Sequence, residues 1–231
     1  MSVTLVSPPV PLTETAEQRF VMRAISWDAY VTICEALEEH RGIRMIYNDG
    51  RLIFVGKSRL HEQLAEFLGH LVMAVAAYLE IDCEPSGEAT FRRRKKAAGL
   101  EGDRTFHFGA NAKRMRGLRN YDFEVDPPPD LAIEVEASHP AEDAIAAWGR
   151  LGVPEVWRFD AATSTCTFWN RRDGETYEQV VRSMFLPMLD PSDVVLQLRL
   201  VAELGSSKWY RQLEDWVRDV IQPRLDSGVE S

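Results

Sequence analysis

With 231 residues, 45% of them apolar, the chain is long enough to bury the core of one α/β domain. No apolar run reaches bilayer-crossing length, and the first residues, Met1-Ser-Val-Thr-Leu-Val-Ser-Pro-Pro-Val-Pro-Leu12, lack the basic start and sustained apolar stretch of a secretory signal. A net charge of −9 argues against a uniformly basic nucleic-acid binder, and Cys34, Cys83 and Cys166 have no metal-type spacing, so they read as buried thiols of a cytoplasmic protein.

In chain order, residues 1–17 are rich in proline and threonine and read as a flexible tail. Ser26-Trp27-Asp28 caps a helix running from Trp27 to about Glu39. Arg44–Tyr47 and Arg51–Val55 flank Asn48-Asp49-Gly50, a strong hairpin signal. From about Ser58, Leu60, Leu64, Phe67, Leu68, Leu71, Val72, Val75 and Leu79 recur at helical spacing. His61 and Glu62 lie in that helix's first turn, where the dipole favours an acid in any protein.

The run Arg92-Arg93-Arg94-Lys95-Lys96 opens a stretch to Arg119 with ten basic residues against Glu101 and Asp103, a local +8 in an otherwise acidic chain. Such a cluster attracts a phosphate backbone with strong salt dependence, although runs of this kind are usually solvated hairpins. Gly99-Leu-Glu-Gly-Asp103-Arg-Thr-Phe-His-Phe108 reads as a turn and then a strand, with Phe106 and Phe108 on one face and Asp103, Thr105 and His107 on the other.

Pro127-Pro128-Pro129 stops whatever precedes it, and Asp130-Leu-Ala-Ile-Glu134-Val-Glu136 starts a strand. Leu131, Ile133 and Val135 share one face; Asp130, Ala132, Glu134 and Glu136 share the other. Two carboxylates roughly 6–7 Å apart on a strand backed by an apolar face suit a divalent cation, whereas Asp130, roughly 13 Å from Glu134, stands too far off. A solvent-facing acidic edge strand accounts for the pattern equally well. Asp103, near the end of the preceding strand, would complete an ion site with Glu134.

Beyond this strand, Ser138-His139-Pro140 makes a turn, and a helix covers Ala141 to Leu151. Gly152-Val153-Pro154 leads to a strand over Glu155–Phe159, and Thr165–Asn170 and Thr176–Val181 form a second hairpin. From Ser207 to about Ile221, Trp209, Leu213, Trp216, Val217 and Val220 form a stripe that docks on the core or on another copy.

These motifs together resemble the Uma-type putative restriction endonuclease family of the PD-(D/E)xK nuclease superfamily. The likeness runs from about residue 44 through Gly50-Arg-Leu, His61-Glu62, Gly99-Leu-Glu-Gly-Asp103, Pro127-Pro-Pro-Asp-Leu-Ala-Ile-Glu134-Val-Glu136 and Leu151-Gly-Val-Pro-Glu-Val-Trp-Arg158 to Phe185-Leu-Pro187. It implies an α/β, restriction-endonuclease-like mixed central sheet flanked by helices, with hairpin additions. That domain would cover 18–204, with an amphipathic helix and tail over 205–231.

The resemblance also implies Asp103 and Glu134 as acids binding Mg²⁺ or Mn²⁺, with Glu62 as a third ligand, DNA as substrate, and a homodimer where both strands are cut. Three positions depart from the superfamily pattern. Gly102 stands where a proline is expected, Glu136 where the motif lysine is expected, and Ala144 where relatives carry a helix lysine. Glu136 would then serve as an outer-sphere base or second-ion ligand, and Arg92, Arg93, Arg94, Lys95 and Lys96 would hold the DNA. The competing reading is a catalytically degenerate nuclease fold that binds nucleic acid or regulates, and a third is an oligomeric scaffold built on the last helix.

Overall fold

A computed structural model describes residues 17–37, 42–87, 89–118, 121–122 and 124–228. The expected tail up to residue 16, the end of the first helix near Glu39, and Arg119 lie outside the described residues.

Two sheets carry the fold. The first is antiparallel, in the order β1 (Arg19–Met22), β3 (Arg51–Gly56), β2 (Ile43–Asn48), β6 (Ala98–Glu101), β5 (Thr90–Arg93). The second runs β11 (Tyr177–Val180), β10 (Thr165–Arg171), β9 (Glu155–Asp160), β8 (Leu131–Glu136), β7 (Arg104–Phe108), β4 (Cys83–Pro85). Within it β8 and β9 are parallel, so a crossover is needed, and α4 (Glu142–Leu151) supplies it.

Each sheet's alternation decides its layers. In the first, Ile46, Ile53 and Leu100 face α4 and the polar side of β8, while Tyr47 and Leu52 face α1 (Trp27–Ala36). The β2–β3 hairpin closes as Asn48-Asp49-Gly50 requires, with positive φ of 48° at Asp49 and 80° at Gly50. In the second sheet, Leu131, Ile133 and Val135 pack with Leu68, Leu71, Val72 and Val75 of α2 (Arg59–Tyr78).

The Gly-rich turn expected at Gly99 is itself a strand, and the strand expected from Asp103 begins one residue later. The chain leaves the first sheet after Glu101, turns at Gly102-Asp103 and enters the second at Arg104. Gly102 has a steric reason: a Cβ there would lie 2.7 Å from Thr105 Cγ2 and 2.8 Å from the Trp148 ring. The basic α3 (Gly109–Met115) follows β7.

Helix α5 (Pro191–Leu204), absent from the sequence reading, leads into α6 (Ser206–Trp216), a π-helical turn at Val217–Ile221 and α7 (Gln222–Gly228). Trp209, Leu213, Val217 and Ile221 are buried in the core shared with α2, and the Trp209 indole donates to Gln197 at 2.9 Å. The apolar stripe is therefore covered by the chain itself, which removes the ground for a scaffold built on that helix; Val220, counted in the stripe, is exposed. Cys34 and Cys166 are buried thiols as expected, whereas Cys83 is only half-buried.

Candidate active site

The β7–β8 register pairs Arg104 with Ile133, which puts Asp103 directly opposite Glu134. Strand β8 lies between β7 and β9, and all six of its residues are buried, so the solvated acidic edge is excluded. Asp103 is 2% exposed and Glu134 0%. Buried carboxylates need a counter-charge, and the nearest is one the sequence reading did not weigh: Arg44, from the middle of the first sheet.

Arg44 Nη1 stands 3.0 Å from Asp103 Oδ1, an ion pair whose angle falls short of a hydrogen bond. Its Nη2 donates to Glu134 Oε2, and its Nε donates to the Glu101 carbonyl at 2.7 Å. Asp103 Oδ2 accepts from the Val135 backbone N–H at 2.8 Å and lies 3.0 Å from His61 Nε2. Glu134 Oε1 accepts from the Trp148 indole at 2.7 Å.

The other predicted residues stand apart from this centre or are engaged. Glu136 accepts from the Ala141 N–H and is ion-paired to Arg158 at 2.6 Å. Glu62 is half-exposed, 3.5 Å from Lys57 Nζ and 3.6 Å from His61 Nδ1, so it reaches the acids only through His61. Ala144 is buried in the core, with no cation in its place. A second residue missed in sequence, Lys57, stands at the rim with its side chain 6% exposed and its Nζ 2.7 Å from Glu101. Glu17 closes the front, accepting from the Ser58 N–H and both hydroxyls of Ser58 and Ser138.

The basic run does not surround Asp103. Arg94–Lys96 form the tip of the β5–β6 hairpin, at the end remote from Glu101, roughly 15–20 Å along the chain from Asp103. Much of the local +8 is also matched by acids: Arg94 with Asp28, Arg104 with Glu66, Arg114 with Asp126, and Arg116 with Asp82 and Glu84. Lys95 and Lys96 are exposed.

Two carboxylates share one guanidinium, and this splits their titration. Burial opposes the Asp103 charge, but Arg44 and His61 outweigh it and hold the group down at about 2. Burial, aided by the Asp103 charge and opposed by Arg44, pushes Glu134 up to about 7. A lowered acid contributes stability that is present above its ordinary value of 3.8 and lost as pH falls towards 2. A raised acid contributes stability that is complete below 4.5 and lost as pH rises through 7. The thermal midpoint should thus fall between pH 5 and pH 8. His61, which burial lowers but Asp103 raises further, adds in the same direction. Glu134→Gln should flatten that limb in a melting series; an unchanged slope would contradict the assignment.

A divalent cation does not fit the acids as they stand. Three of the four carboxylate oxygens accept hydrogen bonds from nitrogen donors, and the fourth, Asp103 Oδ1, has the Arg44 ion pair but no hydrogen bond. Among the described residues, no group of three or more His, Cys, Asp or Glu side chains could hold a metal ion.

A mixed sheet with one parallel crossover, flanked by helices, makes this an α/β fold, with the acid pair where the chain passes from one sheet to the other. A solved structure with this architecture is that of a putative nuclease belonging to DUF820 from Anabaena variabilis. It is 13% identical, with a TM-score of 0.50 over 66% of this chain and 89% of that one. The model of the Uma2 family, described as "Putative restriction endonuclease", matches residues 27–204. The chain belongs to that family. No curated protein matches its sequence. Among the described residues, no helix is long and apolar enough to cross a membrane.

Proposed function

We propose that this protein is a catalytically silent member of the nuclease class that binds nucleic acid without cutting it. The observation that carries this reading is that Arg44, His61, Trp148 and the Val135 N–H all engage the acid pair. Neither expected position holds the lysine that would orient an attacking water, since Glu136 is tied to Arg158 and Ala144 is apolar and buried. Contact with a phosphate backbone falls to the basic tip of Arg92, Arg93, Arg94, Lys95 and Lys96.

The second reading is an endonuclease that hydrolyses DNA phosphodiester bonds with Mg²⁺ or Mn²⁺, on Asp103, Glu134 and Glu62, acting as a homodimer in the cytoplasm. The register that sets Asp103 opposite Glu134 favours it, as does the family.

Incubation with supercoiled plasmid in Mg²⁺, Mn²⁺ or EDTA separates the two. The silent reading expects no nicking in any metal. It also expects DNA binding in EDTA that weakens with salt, with a log–log slope reduced by roughly 2 in the Lys95→Ala, Lys96→Ala double variant. Metal-dependent nicking that disappears in Asp103→Ala would establish the second reading instead.

A further inference from the structure

Arg44 is held more firmly than a passing counter-ion. It comes from β2, which is paired on both sides, and it is 5% exposed. Three of its nitrogens are engaged, by Asp103, Glu134 and the Glu101 carbonyl. The planar fork suits two carboxylates that arrive from opposite strands, as a single ammonium would not.

We propose that Arg44 is the resident cation of this site, standing where a metal-dependent nuclease would hold its divalent ion, so that the chain folds and persists with no metal at Asp103 and Glu134. This rests on the silent reading above and gives it a cause.

Space supports the assignment as well as charge. The pocket beside Arg44, lined by Glu17, His61, Val135, His139 and Ala144, measures about 30 Å³. At about 10–15 Å³ for each water, it takes about two. Mg²⁺ keeps several waters when it binds through one or two carboxylates, more than this pocket takes while Arg44 is in place. An ion could enter only by displacing the guanidinium, and its two carboxylate ligands would first have to give up N–H donors from His61, Val135 and Trp148.

The test is Mn²⁺ binding, read by calorimetry and by the thermal midpoint in Mn²⁺ against EDTA, on the full chain. Wild type is expected to show no binding heat that Glu134→Gln abolishes, and a midpoint that moves by less than about 1 °C. Arg44→Met removes the guanidinium and leaves the two acids with only the His61 imidazole beside them. It should gain Mn²⁺ binding, with a midpoint rise of about 5–10 °C at a hundredfold excess over Kd. Arg44→Lys, which keeps the charge, should gain none.

Micromolar Mn²⁺ binding by wild type, lost in Glu134→Gln, would overturn the proposal. So would an Arg44→Met protein that folds and ignores Mn²⁺. If that variant does not fold, the wild-type titration decides. Nicking of plasmid by wild type would instead strike the silent reading, whereas Mn²⁺ capture by a protein that does not nick would strike this assignment alone.

Discussion

Arg44→Met, melted in EDTA near neutral pH, should lose about 3–5 kcal/mol of stability, which for a chain of this size lowers the midpoint by roughly 10 °C. The loss is larger than that of an ordinary ion pair because neither partner can be rehydrated. Asp103 and Glu134 are buried at the junction of the two sheets, and exposed pairs, by contrast, are worth about 0–1 kcal/mol. The penalty should shrink as pH falls through about 7, where Glu134 takes up its proton and only one anion is left unbalanced. Adding Asp103→Asn and Glu134→Gln to Arg44→Met should recover part of the loss, because a buried charge left alone costs more than an uncharged set. A single variant as stable as wild type would mean that the guanidinium does not carry the balance of this site.

Glu155→Ala should be comparably damaging for a different reason. Glu155 is fully buried at the start of β9 and serves four donors. Its Oε1 accepts from the Trp157 indole at 2.7 Å, and its Oε2 accepts from the Met184 N–H at 3.0 Å, the Ser183 hydroxyl at 3.2 Å and the Phe185 N–H at 3.3 Å. Truncation orphans these groups, at about 1–3 kcal/mol for each one left buried, so a total of about 4 kcal/mol or more is expected. The same contacts fasten the segment that leads into α5. Hydrogen exchange in residues 183–189 should accelerate before that of β8, and uniform protection in the variant would contradict this.

The sequence was most legible where the signal is local. Asn48-Asp49-Gly50 dictated a hairpin through its backbone preferences, Ser58 capped α2, and the Leu-Phe-Val spacing gave that helix its buried face. The alternation in β8 separated its apolar face from its acidic face. The start of α5 was also written locally, in an Asp190-Pro191 cap whose side chain closes a capping box with Asp193, though its apolar periodicity is weak beside that of α2. Strand β6 was not legible, since Gly99 and Gly102 read as a turn and only the pairing with β2 and β5 shows it. The basic run misled for a related reason. Nearness in sequence to Asp103 became the far end of a hairpin once β5 and β6 paired.

By itself, then, the chain determined its two hairpins, its acidic strand and its main helices, because periodicity and turn chemistry act over a few residues. Only the tertiary structure decided which cation meets those acids. Arg44 lies 90 positions before Glu134, on a strand of the other sheet, and nothing in a short window ties the two together. The stacking of the sheets does so, since it buries two carboxylates at a point that a guanidinium can reach and water cannot.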